Sequence, residues 1–207
     1  MIYKTIIFDF DGVLCSDRFY TNLKTAYPLA HNFVNTKIFG KGSKIPDRWM
    51  RGELSSDDIN KLISDNTGID FDELSNLLTE SVKIMKIDNR LINLAKIVHS
   101  KGGKIAIVTN NMDIFNTITI KNHGLDKIFP AIINSFDYGI MKHDEDGRLF
   151  DIAMERLNVP NYRDALLIDD SEKARTVFEN KGGSTFPYNN YEQFEPWMKE
   201  NLLFTLR

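Results

Sequence analysis

From about residue 88 onward the chain alternates short apolar runs with amphipathic stretches, and this alternation limits the available folds more than any other feature. "KIAIVT", "AIINS", "DALLID" and "STFPY" are short runs rich in apolar and β-branched residues, which predicts strands. Around and between them, "DNRLINLAKIVHSKGG", "MDIFNTITIKNHG", "LFDIAMERLN" and "SEKARTVFENKGG" read as helices, several stopping at glycine. Near the start, Lys4-Thr5-Ile6-Ile7-Phe8 reads as one more buried strand. Strands separated by helices pair in parallel and carry helices on both faces. The expected fold class is therefore α/β, with a Rossmann-like parallel sheet. In such sheets ligands sit beyond the carboxyl ends of the strands.

Residues 16 to 85 contain no convincing strand and read as helices inserted after the first one. "YTNLKTAYPLAHNFVNTKIFG" is amphipathic but interrupted at Pro28. "SSDDINKLISDNTG" starts on Ser55 as N-cap, is acidic in its first turn and ends near Gly68. "DFDELSNLLTESVKIM" starts on Asp70, with Glu73 at the spacing of a capping box. The loop "GKGSKIPDRWMRGEL" lies between the first two of these helices.

The strand ends carry the chemistry. The first strand runs into Asp9, with Asp11 two residues on and Gly12 permitting a tight turn; "KIAIVT" ends in Thr109-Asn110, and "DALLID" in Asp169-Asp170. A lone pair of aspartates two apart is as well explained by a strand cap and a solvated turn. Four carboxylates, a hydroxyl and an amide on one sheet edge are more specific, because crowded carboxylates require a cation. An all-oxygen donor set suits Mg²⁺ better than zinc.

Bulk properties remove several function classes. A length of 207 residues suits one large domain or a domain with an insertion, and an apolar content of 42% suffices for a core. A net charge of −3 argues against nucleic acid or an acidic membrane as partner. With Cys15 as the sole cysteine, neither an intrachain disulfide nor a cysteine zinc cluster can form. The N-terminal apolar run is too short for a signal peptide and no run is long enough to span a bilayer. The expectation is a soluble protein of the cytoplasm, a monomer or homodimer.

With these motifs in place, the chain resembles the haloacid dehalogenase-like (HAD) hydrolases, in the subgroup with a helical cap inserted after the first strand. "DFDGVL" resembles the family's first motif, "IVTNN" the second and "LLIDDS" the fourth; Lys142, in "SFDYGIMKHDEDGRLFDIAM", is the candidate for the third. The resemblance implies a core of residues 1–15 and 86–207 and a cap of residues 16–85. It implies that Asp9 is the nucleophile and a Mg²⁺ ligand. Asp11 is then general acid and base, with its carbonyl on the metal. Thr109 and Asn110 donate to phosphoryl oxygens, Lys142 neutralises the carboxylates, and Asp170 binds the metal with Asp169 beside it. The implied activity is Mg²⁺-dependent hydrolysis of a small phosphorylated metabolite, a sugar phosphate or nucleotide, through an aspartyl-phosphate. The rivals are a phosphomutase, a 2-haloacid dehalogenase, which uses neither Mg²⁺ nor the second aspartate, and a non-catalytic binding protein on the same fold. Two departures stand out: after Lys142 comes His143 where the family usually has proline, with the run Asp144-Glu145-Asp146-Gly147, read as a solvated loop, lengthening the link to the next helix; and Asp88-Asn89 stands where Pro-Gly often precedes a helix, with Asp88 read as an ordinary N-cap.

Other features carry weaker readings. Arg48 and Arg51 are expected to contact substrate from the cap, against the alternative of a helix turn with Trp49 in the cap core and solvated arginines. Cys15 lacks a neighbouring histidine and is read as a buried turn residue. The histidines at 31, 99, 123 and 143 have no metal-ligand spacing. The aromatic C-terminus "FPYNNYEQFEPWMKENLLF" is read as a final helix packed on the core.

Overall fold

Residues 3–202 are described by the structure, a computed structural model. Five strands form one parallel sheet: β1 (Thr5–Phe8), β2 (Lys104–Thr109), β3 (Ala131–Asn134), β4 (Ala165–Asp169) and β5 (Ser184–Pro187). Their order is β3-β2-β1-β4-β5. The chain winds outward from β1 to β3, then returns to place β4 on the other side of β1. The order therefore reverses between β1 and β4, the position where such sheets open a crevice.

Each central strand is apolar on both faces, because both are covered. Ile6, Phe8, Ile105, Ile107, Leu166 and Ile168 face one cluster; Ile7, Ala106, Val108, Ala165 and Leu167 face the other. The second cluster is closed by α8 (Arg148–Arg156) and α9 (Glu172–Asn180), through Phe150, Met154 and Phe178. The first is closed by α6 (Asn89–Ser100) and by α10 (Tyr191–Asn201), whose Phe194 and Met198 are buried. Phe186, Phe194 and Trp197 form an aromatic group there, with Phe186 5.0 Å from Phe194 and 4.8 Å from Trp197. The aromatic C-terminus thus packs on the core up to Leu202; its last residues lie outside the described residues.

Between β1 and α6 the chain forms α1 (Leu23–Ala26), α2 (Pro28–Phe33), α3 (Ile45–Met50), α4 (Ser56–Thr67) and α5 (Phe71–Lys83). Pro28 interrupts the first amphipathic stretch as expected and opens α2 at its first position, where a missing N–H costs nothing. Ser55 caps α4 in a reciprocal capping box with Asp58, and Gly68 ends it with φ +73°. Asp70 caps α5 by accepting from the Asp72 and Glu73 amides. Glu73 does not reciprocate; its carboxylate takes the Tyr27 hydroxyl instead. Two stretches expected to be plain helix contain π-helical turns, Val34–Ile38 and Phe115–Thr119. Such turns add one residue per turn and shift the face a helix presents. Leu23, Ile38, Trp49, Ile59 and Leu74 of the insert belong to the same buried cluster as Phe8 and Phe10, so its apolar interior continues into that of the sheet. α7 (Ile120–Asn122) completes the helices.

Candidate active site

Strand register brings the polar strand ends together. Phe8 pairs with Ile168, so the next residues, Asp9 and Asp169, emerge side by side where the strand order reverses. The Asp9 amide still donates to the Ile168 carbonyl at 3.0 Å, which holds them level. Both carboxylates are buried, Asp169 completely. Asp9, Asp169 and Asp170 each present an oxygen within 4.8 Å of the others. Gly12 adopts φ +82°, and a Cβ there would lie 2.4 Å from Asp170 Oδ2. Glycine is therefore required twice at this position, for its backbone angle and for the space the carboxylate occupies.

Lys142 enters this group from the loop between β3 and α8. Its side chain is 2% exposed, and Nζ lies 2.5 Å from Asp9 Oδ2 and 2.7 Å from Asp169 Oδ2. Burial works against its charge, but Asp169 and Asp9 outweigh that and hold the ammonium protonated, above the ordinary lysine range. The Lys142 amide donates to Asn110 Oδ1 at 2.8 Å, which ties this loop to the end of β2. The unusual His143 and the acidic run after it do not displace the lysine. The loop turns through Glu145 and Asp146 at positive φ and then Gly147.

Asp9 is pushed upward by burial and by Asp169, with Lys142 opposing. Asp11 is pushed up to about 6, by burial first, with Asp170 adding to the shift and Arg18 and Lys142 opposing it. Its Oδ2 accepts from Asn111 Nδ2 at 3.2 Å. A carboxyl raised toward neutral pH can give and take a proton. Thr109 is fully buried, and its Oγ1 has no hydrogen-bond partner among the described residues. A buried hydroxyl without a partner costs free energy unless something else fills that role. Cys15 is buried, with its thiol pushed up to about 11 chiefly by burial, and is unsuited to nucleophilic work.

The structure thus brings together Asp9, Asp11, Thr109, Asn110, Lys142, Asp169 and Asp170. It does not bring Arg48 and Arg51 to them. Arg48 lies at the surface with Nε 3.0 Å from Glu53. Arg51 is paired with Asp144 and also reaches the Gly139 carbonyl. Asp144, expected in a solvated loop, is half-buried and accepts from the Met141 amide as well. Trp49 is fully buried, as the competing reading has it, and its indole N–H reaches out of the insert to Asp113 Oδ1 at 2.8 Å.

Several residues escaped the sequence reading. Asn111 orients Asp11 while its own amide is held by Asn134 Oδ1 and Ser135 Oγ, at 3.0 and 3.1 Å. The rule that polar strand ends matter also covers "AIINS", and would have found Asn134 and Ser135. The Ser171 amide donates to Asp169 Oδ1 at 2.8 Å and Arg175 to the Asp169 carbonyl at 3.0 Å. Arg18, near the start of the insert, lines the cleft with Asp11, and no sequence pattern marks it.

A family profile for haloacid dehalogenase-like hydrolases matches residues 3–173. The chain belongs to that family. HAD folds also surround it among solved structures. A predicted HAD-like family hydrolase from Porphyromonas gingivalis superimposes with TM-score 0.75 at 15% identity, covering 98% of both chains. A HAD family enzyme from Bacteroides thetaiotaomicron, in complex with magnesium and inorganic phosphate, gives 0.71 at 16% identity over 89% of this chain and 93% of that one. The L-2-haloacid dehalogenase of Xanthobacter autotrophicus gives 0.62 at 16% identity over 88% and 76%. No curated protein matches the sequence. The HAD match makes the chain a hydrolase by family, with its motifs on the strand ends described above. Among the described residues no helix is long and apolar enough to cross a membrane.

Proposed function

We propose that this HAD hydrolase is a Mg²⁺-dependent phosphatase of a small phosphorylated metabolite, of the sugar phosphate or nucleotide class, working through an aspartyl-phosphate on Asp9. One observation carries the reading: three carboxylates gathered within 4.8 Å at the sheet edge, with a further carboxyl, Asp11, held beside them by Asn111. A HAD dehalogenase would use the Asp9 carboxylate on carbon and need neither Mg²⁺ nor Asp11. The magnesium and phosphate of the B. thetaiotaomicron enzyme point the same way.

The donor set fits a hard cation: Asp9, Asp169 and Asp170 would hold it, with the Asp11 carbonyl as a further oxygen ligand. Bound there, Mg²⁺ would offset phosphate charge and polarise the phosphoryl group. The chain's own residues account for the rest. A carboxylate oxygen of Asp9 attacks phosphorus and the bond to the leaving oxygen breaks. Asp11 gives its proton to that oxygen, then takes one from the water that attacks the acyl phosphate, and free phosphate leaves. Thr109 Oγ1, which has no partner among the described residues, donates to a phosphoryl oxygen together with the Asn110 amide. Lys142 keeps Asp9 and Asp169 compensated at every stage. Residues 16–85 act as a cap over a core of residues 1–15 and 86–207 and exclude water during the transfer.

Release of phosphate from acetyl phosphate, measured with Mg²⁺ and with excess chelator, tests the reading. Mg²⁺-dependent release that stops on chelation is expected; full turnover in chelator overturns the metal-dependent mechanism.

A further inference from the structure

The cleft between insert and sheet has a volume of about 390 Å³, at the lower end of small-molecule sites, which run from roughly 300 to 1,000 Å³. Asp11 lies at one side. The other walls are mostly apolar: Phe19, Phe39, Pro46, Met50 and Met112. Phe19 and Phe39 both pack against Trp49, with ring centroids 5.9 and 6.5 Å away. Trp49 is itself fixed by its bond to Asp113, so the aromatic wall is anchored to the sheet domain. Phe39 remains 36% exposed, a large apolar side chain kept partly bare where it borders the cleft. It directly follows the π-helical turn Val34–Ile38, which also places Asn35 in the lining.

Polar donors in this wall are few. Asp17 is engaged, accepting the Lys86 amide at 2.7 Å. Asn35 is engaged too, its Nδ2 donating to the His31 carbonyl at 3.0 Å; Arg18 remains, and forms no ion pair among the described residues. A polyol leaving group would set several of its hydroxyls against phenylalanine, proline and methionine, which cannot answer them, an unfavourable exchange. A flat ring loses nothing on those walls and gains stacking. A guanidinium is a group that reads acceptor atoms on the edge of such a ring.

We propose that the leaving-group half of the substrate is a planar heteroaromatic ring with hydrogen-bond acceptors on its edge, flanked by Phe19 and Phe39 and read by Arg18. This rests on the phosphatase reading and narrows its substrate class, away from simple sugar phosphates and toward ring-bearing esters.

Guanosine 5′-monophosphate and ribose 5-phosphate share the phosphate and the sugar and differ in the ring. The test is the ratio of their kcat/KM values in Mg²⁺. A ratio of roughly tenfold or more is expected, the size of one base–aromatic stacking contact. Phe39→Ala and Arg18→Ala should each pull it toward one; both side chains are exposed, so both variants should fold, which circular dichroism checks. A ratio of one or less in the parent protein, or a ratio that neither variant changes, overturns the proposal. Calorimetry of the same two ligands on Asp9→Asn reads the preference without turnover. A ring preference there, with acetyl phosphate left intact in Mg²⁺, sustains the ring site and overturns the phosphatase reading. Hydrolysis of acetyl phosphate with no ring preference in either assay overturns the ring site alone.

Discussion

At the carboxyl end of the sheet, charges are buried and their positions are set by strand register. In the insert above it, charges lie mostly at the surface, and a few long-range hydrogen bonds supplement the apolar cluster it shares with the sheet domain. Lys142 and Arg48 show the contrast. Lys142 is 2% exposed between two carboxylates; Arg48 is 51% exposed beside Glu53. Both are cations within reach of acidic oxygens, yet only the first is indispensable to its neighbours. Removing one member of a buried pair leaves a charge stranded in a poor solvent, whereas an exposed pair returns to water. Between the two extremes sits Asp113. It belongs to the loop after β2 and receives the Trp49 indole N–H, the Ser56 amide at 2.9 Å and the Ser56 hydroxyl at 2.6 Å from the insert.

If the sheet edge holds the chemistry, the two opening aspartates give the largest effects and differ in kind. Asp9→Asn should lose the covalent step and fall below detection, a loss on the order of 10⁴-fold or more. Asp11→Asn should lose roughly 10²–10⁴-fold with an ordinary ester and still accept phosphate from one with a good leaving group. Mass spectrometry of protein quenched with p-nitrophenyl phosphate should show an adduct on Asp11→Asn and none on Asp9→Asn. An equal adduct on both would place the nucleophile elsewhere.

Stability offers the next contrast. Lys142→Met keeps the length of the side chain but leaves Asp9 and Asp169 buried together without their cation. A loss of about 3–5 kcal/mol is expected in urea unfolding without divalent metal. A loss under 1 kcal/mol would mean that the carboxylates are not charged in the native protein. Asp113→Ala strips the insert of three donors' partner and should cost roughly 1–3 kcal/mol, with a KM increase for any substrate that fills the cleft. An unchanged KM would show that the insert is held in place by its apolar contacts alone.

The smallest effects belong to the insert's surface. Arg48→Ala should stay within about 0.5 kcal/mol of the parent protein and leave KM unchanged. Arg51→Ala removes a half-buried pair with Asp144 and should cost no more than about 1 kcal/mol. A tenfold rise in KM for Arg48→Ala would restore the role that the sequence suggested for it.

The same contrast explains what could be read without coordinates. A strand's end is visible as the residue after an apolar run, and parallel pairing puts such ends on one edge. Asp9, Thr109 and Asp169 were legible for that reason. Lys142 sits on a loop and was reached only through resemblance to a family motif. The cleft was not legible. Arg18 and Phe39 have no periodic neighbours, and the π-helical turn before Phe39 moves the helix face by one residue, a change no apolar spacing announces. Nor could Arg51 be matched with Asp144, since a charge pair that far apart in sequence depends on a packing that only the folded chain defines.

β1 holds the middle of the sheet yet precedes both of its neighbours by a long stretch of chain. A ribosome therefore exposes Ile6-Ile7-Phe8 well before β2 or β4 exists to cover them. Such unpaired apolar runs are the usual points of aggregation during synthesis. The next segments to emerge are the helices of the insert, whose contacts are local and form fast. Their buried residues belong to the same cluster as Phe8. The insert is thus the first surface available to shelter β1 while the rest of the sheet is made. Asp9 waits longer still: its partner Asp169 arrives only with β4, so a ligand of this site can hold only chains whose central strands are complete.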